Sequence, residues 1–292
     1  MATSSIDQGD RAVPQLQLQV RPLQVADLPQ ALAQSQALQW PYRLEDWQFA
    51  LQLGHGIAVE QDGQLVGTAL WWPYGENFAS AGMIIVAASA QRRGIGGALM
   101  TELLEQTGRR MVILNSTEEG YALYAKLGFV ADGAVHQHQA VLDQVPQVEG
   151  DDAIRNFASE DFDALMALDR EASGMDRRAL IDALIANGTV RVIERDGAMT
   201  GFGFGRRWGR GYVIGPVVAP DMSGARALIA DLAAPYQGGF VRIDVTLASR
   251  LSPWLEEIGL PKVGQVTSMA LGTPPRPSKG ASIFALSNQS LG

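Results

Sequence analysis

Ile84-Ile85-Val86-Ala87-Ala88-Ser89-Ala90-Gln91-Arg92-Arg93-Gly94-Ile95-Gly96-Gly97-Ala98-Leu99 is the stretch from which the fold is read. The run Met83 to Val86 is apolar on both faces, so a strand over about residues 80–87 is expected in the middle of a sheet. A short loop follows, and glycines open an amphipathic helix expected over residues 94–107. A helix start presents N–H groups without intrahelical partners and the positive end of the dipole, a site for an anion. Gly94, Gly96 and Gly97 remove side chains from around Ile95, so that an anion can approach the backbone. Arg92 and Arg93 add positive charge in an otherwise acidic chain. A pyrophosphate suits these features, although the same glycines would also serve tight packing of a helix on a sheet. Two other phosphate patterns fail. No Gly-Lys-Ser/Thr follows, as a P-loop requires, and Leu99 stands where a dinucleotide fingerprint needs its third glycine.

The elements on either side alternate in type. Upstream, the reading is a strand at residues 17–21, helices over 28–38 and 44–53, and a hairpin of residues 57–60 and 65–72 turning at Asp62-Gly63. Downstream come a strand at residues 111–114, a helix over 119–127 stopped by Gly128, and a strand region over 129–142. Residues 143–152 are polar with Pro and Gly and read as a linker. Beyond them the order of elements starts again, and Ser282 to Leu286 reads as a last strand. Gly94 aligns with Gly224 and Gly128 with Gly259, offsets of 130 and 131 residues, which points to two copies of one domain.

Composition narrows the function. The chain has 292 residues, 23 Lys and Arg against 31 Asp and Glu, net charge −8, and no cysteine. There is no thiol nucleophile, disulfide framework or Cys-based zinc site. An acidic chain is a poor nucleic-acid binder, because neutralising phosphates needs a basic surface. Residues 1–15 read as a flexible tail without the pattern of a signal peptide. No window approaches the roughly 18 apolar residues of a membrane helix, so a cytoplasmic protein with no membrane partner is expected. His136 and His138 share a strand face but lack a third ligand, so no metal is expected.

The second motif lies about 30 residues after the first: Leu123-Tyr124-Ala125-Lys126-Leu127-Gly128-Phe129. Here the chain resembles the GCN5-related N-acetyltransferase (GNAT) superfamily. Gln91-Arg92-Arg93-Gly94-Ile95-Gly96 is similar to that family's coenzyme A signature, Gln/Arg-x-x-Gly-x-Gly/Ala, and the second run to the helix and glycine after its fifth strand. The resemblance is close over residues 17–142 and reaches 153–292 in element order only. It implies an α/β fold of two tandem domains, each a mostly antiparallel mixed sheet with a splayed central strand pair flanked by helices. The domains would be 16–142, catalytic, and 153–292, degenerate.

The resemblance further implies direct transfer of an acetyl group from acetyl-coenzyme A to the amine of a small molecule. Backbone groups of Ile84, Ile85 and Val86 would pair with the pantetheine arm, and those from Gln91 to Gly97 would hold the pyrophosphate. Tyr124 would protonate the departing thiolate, and Asn115 would contact the cofactor. Trp40, Trp47, Trp72, Tyr74 and Glu76 are candidates for the acceptor pocket, with Tyr42 and Trp71 in the same aromatic group. Glu118 and Glu119 join Glu76 as candidate bases. The acidic surface favours a cationic acceptor through steering. In the second copy, Pro220-Asp221-Met222-Ser223-Gly224-Ala225 lacks the arginine pair, and Leu255 stands where Tyr124 stands in the first. A non-catalytic acyl-coenzyme A sensor, a partner-binding module and a protein or peptide N-acetyltransferase are the alternatives, and a monomer or homodimer is expected.

Overall fold

In the computed structural model, residues 18–148, 153–278 and 280–292 are described. The tail at 1–15 and residues 149–152 of the expected linker lie outside them. The first half runs β1 (Gln19–Pro22), α1 (Leu28–Ala37), α2 (Leu44–Leu53), β2 (His55–Gln61), β3 (Gln64–Tyr74), β4 (Phe78–Val86), α3 (Ile95–Thr107), β5 (Met111–Ser116), α4 (Glu118–Lys126) and β6 (Val130–Val141). The second half repeats it: β7 (Ala153–Asn156), α5 (Phe162–Ser173), α6 (Arg178–Asn187), β8 (Thr189–Arg195), β9 (Ala198–Trp208), β10 (Gly211–Ala219), α7 (Met222–Ala233), β11 (Phe240–Thr246), α8 (Ser252–Glu257) and β12 (Lys262–Leu271). One further strand, β13 (Ser282–Leu286), follows.

A repeated ion triad shows the duplication in chemical detail. Arg21 binds Asp27 and Glu60, and Arg155 binds Asp161 and Glu194, each residue 134 positions on from its counterpart. In both copies the aspartate also accepts the backbone N–H three residues before it, at 2.8 Å, which fixes the turn into the first helix.

All thirteen strands form one sheet, in the order β1-β2-β3-β4-β5-β12-β6-β11-β13-β10-β9-β8-β7. The halves exchange their last strands. β6 pairs antiparallel with β11 of the second half, and β12 pairs antiparallel with β5 of the first. The exchange joins the two halves at the middle of the sheet and leaves β1 and β7 as its edges. Trp71 and Trp72 are neighbours on β3 and point to opposite faces, into different clusters. One cluster gathers α1, α2, α5 and α6 and spans both halves. Separate clusters lie under α3 and α4 and under α7 and α8. Among the described residues no helix is long and apolar enough to cross a membrane.

Candidate active site

β4 and β5 run parallel from Phe78↔Met111 to Ala81↔Leu114 and then diverge. A bulge sits at the point of divergence: Thr68 pairs with Ile85 and Leu70 with Gly82, so Ala69 opposes both Met83 and Ile84. Met83 has φ 50°, and its carbonyl accepts the Thr68 hydroxyl at 3.0 Å. Beyond the bulge, Ile85 is buried in the core while Ile84 and Val86 are half-buried. From Gly82 to Val86, the β4 edge that faces β5 has no strand partner among the described residues.

The loop after β4 ends at the N-terminus of α3. Gly94 is its N-cap, in the left-handed region at φ 82°, and no side chain caps it. The first helical bond is Ala98 N–H to Gly94 O, at 3.0 Å, which leaves the amides of Ile95, Gly96 and Gly97 without helical acceptors. A Cβ on Gly94 or Gly97 would meet no atom within 4 Å, so the backbone is open to an approaching ligand there. Gly96 differs, because its Cβ would lie 3.2 Å from Leu123 of α4. Two of the three glycines therefore give access and one serves packing. Gln91 to Gly94 are exposed, Ile95 anchors the turn in the core, and neither Arg92 nor Arg93 has an ion-pair partner among the described residues. This donor set fits a diphosphate.

Tyr124 projects from α4 with 7% of its surface exposed and packs edge-on to Phe129, with ring centroids 6.0 Å apart. Its hydroxyl makes no hydrogen bond with a described residue. Burial pushes its pKa up to about 12, so it stays protonated at neutral pH. Gly120, one turn earlier, makes room for the ring: a Cβ there would stand 2.9 Å from it. Sequence reasoning passed over Gly120. The available signal was a glycine inside a helix, a position that costs about 1 kcal/mol relative to alanine.

Tyr124 and Ile84 line a cavity of about 180 Å³ at the apex of the splay, with Trp40 and Tyr42 on its far wall. Of the expected pocket residues, Trp40 and Tyr42 reach it. Trp47 and Trp72 are fully buried; the Trp47 indole N–H donates to Ser35 Oγ and ties α2 to α1, and the Trp72 indole N–H donates to the Ala50 carbonyl and ties β3 to α2. Tyr74 is buried with its hydroxyl on the Leu291 carbonyl. Glu76 lies in an exposed turn, and Glu118 and Glu119 are exposed at the start of α4, so none of the three candidate bases lines the cavity. Asn115 does line it, but its amide already bridges protein groups, donating to the Gln289 carbonyl at 2.8 Å and accepting from Ser268 at 2.7 Å.

The second half supplies cavity residues that sequence reasoning missed: Arg210, Arg242, Gln289 and Ser290. Residues 287–292 cross from β13 to the first half, where Ser80 Oγ donates to the Ser290 carbonyl at 2.7 Å. No local pattern signals a wall built by residues so distant in sequence. A larger cavity of about 650 Å³ shares Leu114 and Asn115 with this one but contains neither Tyr124 nor the α3 loop. His136 and His138 both meet Ser252 Oγ, at 2.7 and 3.0 Å, and among the described residues no group of three or more His, Cys, Asp or Glu is placed to hold a metal.

In the second half the same scaffold is filled differently. Eight residues separate β4 from α3, but two separate β10 from α7. The N-cap counterpart of Gly94 is therefore Asp221 rather than Gly224, three residues off the sequence alignment, because the loop has been shortened. Asp221 Oδ1 accepts Gly224 N–H at 2.8 Å, and Arg195 pairs with the carboxylate at 2.6 Å, which holds its pKa below the ordinary value. Between the diverging β10 and β11 lies β13, paired with both. Leu255 does occupy the place of Tyr124: Leu260 N–H bonds Leu255 O as Phe129 N–H bonds Tyr124 O.

Residues 52–131 match one acetyltransferase (GNAT) domain model and residues 165–285 match another. The chain is 29% identical over 259 residues to an uncharacterized N-acetyltransferase, YitH, of Bacillus subtilis (strain 168), covering 87% of this chain and 91% of that one. It is 28% identical over 278 residues to the holothin acyltransferase of Pseudoalteromonas sp. (strain SANK 73390), covering 86% and 93%. A crystal structure of a candidate acetyltransferase from Pyrococcus horikoshii shares the fold with a TM-score of 0.78 at 21% identity, covering 97% of this chain and 98% of that one. The chain belongs to the GNAT superfamily, as a tandem of two such domains, and is an acyl-coenzyme A-dependent N-acyltransferase.

Proposed function

We propose that the first half transfers an acyl group, acetyl in the simplest case, from acyl-coenzyme A to the amine of a small molecule by direct attack within a ternary complex. The observation that carries this reading is the alignment of three features along one strand. They are the open amides at the α3 start, the unpaired β4 edge, and the cavity beside Tyr124. The amides of residues 95–97, with Arg92 and Arg93, hold the diphosphate, and the free edge of Ile84 to Val86 pairs with the pantetheine amides in the manner of an added strand. The thioester then lies at the cavity.

The amine nitrogen attacks the thioester carbonyl carbon, the C–S bond breaks, and the Tyr124 hydroxyl gives its proton to the leaving thiolate. The proton lost by the amine passes to water, and Tyr124 is reprotonated from solvent. The second half takes no donor in this reading. Its loop is six residues shorter, Asp221 presents a negative charge at the helix start, and β13 fills the groove. The relative named for holothin acylation supports a small-molecule acceptor. The test is thiol release from acetyl-coenzyme A with a panel of amines, alongside calorimetry of coenzyme A binding. Binding of one coenzyme A per chain and amine-dependent thiol release are expected. Binding without release from any amine would favour a sensor instead.

A further inference from the structure

The acceptor cavity carries the opposite charge to the chain around it. The net charge is −8, yet the charged side chains on the wall are Arg210 and Arg242, with no Asp, Glu or His among the described lining residues. The rest of its polar lining is mostly amide, including Gln137, Gln139 and Gln289.

The two arginines have one counterion between them. Arg242 uses Nε and Nη2 on buried Asp244, at 3.1 and 2.9 Å, and its Nη1 has no hydrogen bond to a described residue. Arg210 has no ion-pair partner among the described residues, and its guanidinium lies 5.9 Å from the Phe240 ring. The turn that carries Arg210 is fixed against the first half, since Gly209 N–H donates to Asp46 Oδ2 at 2.8 Å. Nearby lies Arg206, buried over Trp208 at 4.2 Å, with its Nε unpartnered. Burial drives its pKa down to about 9 against the pull of Asp46 and Asp244, and the charges of Arg242 and Arg43 add to the fall. Four arginines, Arg43, Arg206, Arg210 and Arg242, thus face two carboxylates, Asp46 and Asp244, and the region keeps an excess of positive charge.

We infer that the acceptor is a small amine that also bears a carboxylate or a comparable planar anion, held by Arg210 and the free Nη1 edge of Arg242. This rests on the N-acyl transfer proposed above and names its substrate class. A guanidinium fork matches a carboxylate in shape and charge. The steering argument from net charge gives way here, because exposed charges are screened beyond roughly 8 Å at physiological salt, and the cavity feels its own wall.

The test uses the full chain, acetyl-coenzyme A and matched acceptors: amino acids, their carboxamides and the corresponding decarboxylated amines. The carboxamides have the less basic amines and so more neutral nucleophile at neutral pH, which biases the comparison against the expected result. A charge-assisted hydrogen bond predicts kcat/KM about tenfold or more higher for the acid than for its carboxamide. Arg210→Glu is expected to abolish that preference with coenzyme A affinity unchanged, and Arg210→Gln to fall between. Carboxamides or decarboxylated amines consumed as fast as the acids, or an acid preference that survives Arg210→Glu, overturns the acceptor assignment and leaves N-acyl transfer standing. No thiol release with any amine of the panel overturns the assignment as well. If coenzyme A is also not retained, the transferase reading falls with it.

Discussion

The two halves hold the same strands and helices in the same order, yet they use the space between the diverging central strands in opposite ways. Between β4 and β5 the chain leaves an edge free and a cavity open. Between β10 and β11 it lays down its own β13. The scaffold does not decide whether a copy can act. In the proposed reading that falls to a few local features in which the halves differ: a loop of eight residues or two, a glycine or an aspartate at the N-cap, a tyrosine or a leucine on the last helix. The filled copy still contributes, since its β9–β10 turn and residues 289–290 wall the open one.

The strongest way to break this asymmetry is at the paired positions Tyr124 and Leu255. Tyr124→Phe removes the proton donor and keeps the ring, and kcat should fall by about 10²- to 10⁴-fold, the usual worth of general acid catalysis. Coenzyme A affinity, measured by calorimetry, should not change. Leu255→Met, in the core of the second half, should cost less than about 1.5 kcal/mol in denaturant unfolding and leave kcat alone. An equal loss of kcat in both variants would mean that Tyr124 acts through packing.

A second pair compares the helix starts. Gly97→Asp fills open space above the α3 amides with a negative charge. A carboxylate about 4 Å from two phosphate charges costs at least ~2 kcal/mol even at the dielectric of water, or roughly 30-fold in coenzyme A affinity. The fold should tolerate it, because an acidic residue in a first turn stabilises by about 0.3–1 kcal/mol. Asp221→Ala at the other start should do the reverse. Losing the cap should lower stability by about 1 kcal/mol, and coenzyme A should still bind at one per chain. A second equivalent bound in that variant would show that Asp221 alone had closed the site.

The sequence carried the local half of this comparison. The glycines after Val86 marked a helix start open to an anion, with Gly96 serving packing as well, and α3 and β13 form where periodicity placed them. The last-helix stop is shared, with Gly128 at φ 91° and Gly259 at φ 86°. The strand exchange was not legible, because β6 and β12 have equivalent positions in their halves and either could pair with β5. The aromatic residues misled for a related reason. Trp47 and Trp72 have the composition of a ligand cage, but which face of α2 and β3 meets the core is set by packing. The arginine wall was hidden because Arg210 and Arg242 come from the half whose own groove is filled.

The smallest expected effect concerns the brace where the exchanged strand β6 meets α8. His136 Nδ1 and His138 Nε2 share Ser252 Oγ, and His138 Nδ1 bonds the Leu260 carbonyl at 2.8 Å. The first half has no such brace, since Tyr121, which precedes Gly128 as Ser252 precedes Gly259, is exposed. Burial lowers the His136 pKa, and the charges of Lys262 and His138 add to it, against smaller opposing pulls from a hydrogen bond with Gln265 and from Glu256. The folded chain therefore favours the neutral imidazole. Above the ordinary histidine pKa, folded and unfolded chains are both neutral there and this stabilisation is complete. As pH falls through that value the unfolded chain takes up the proton first, and stability declines with a slope of at most about 1.4 kcal/mol per pH unit for one group. Denaturant unfolding between pH 7.5 and 5 should show this slope, and His136→Gln should flatten it. Turnover at pH 7.5 should change little in that variant, because neither imidazole lines the cavity, although their neighbours Gln137 and Gln139 on the same strand do.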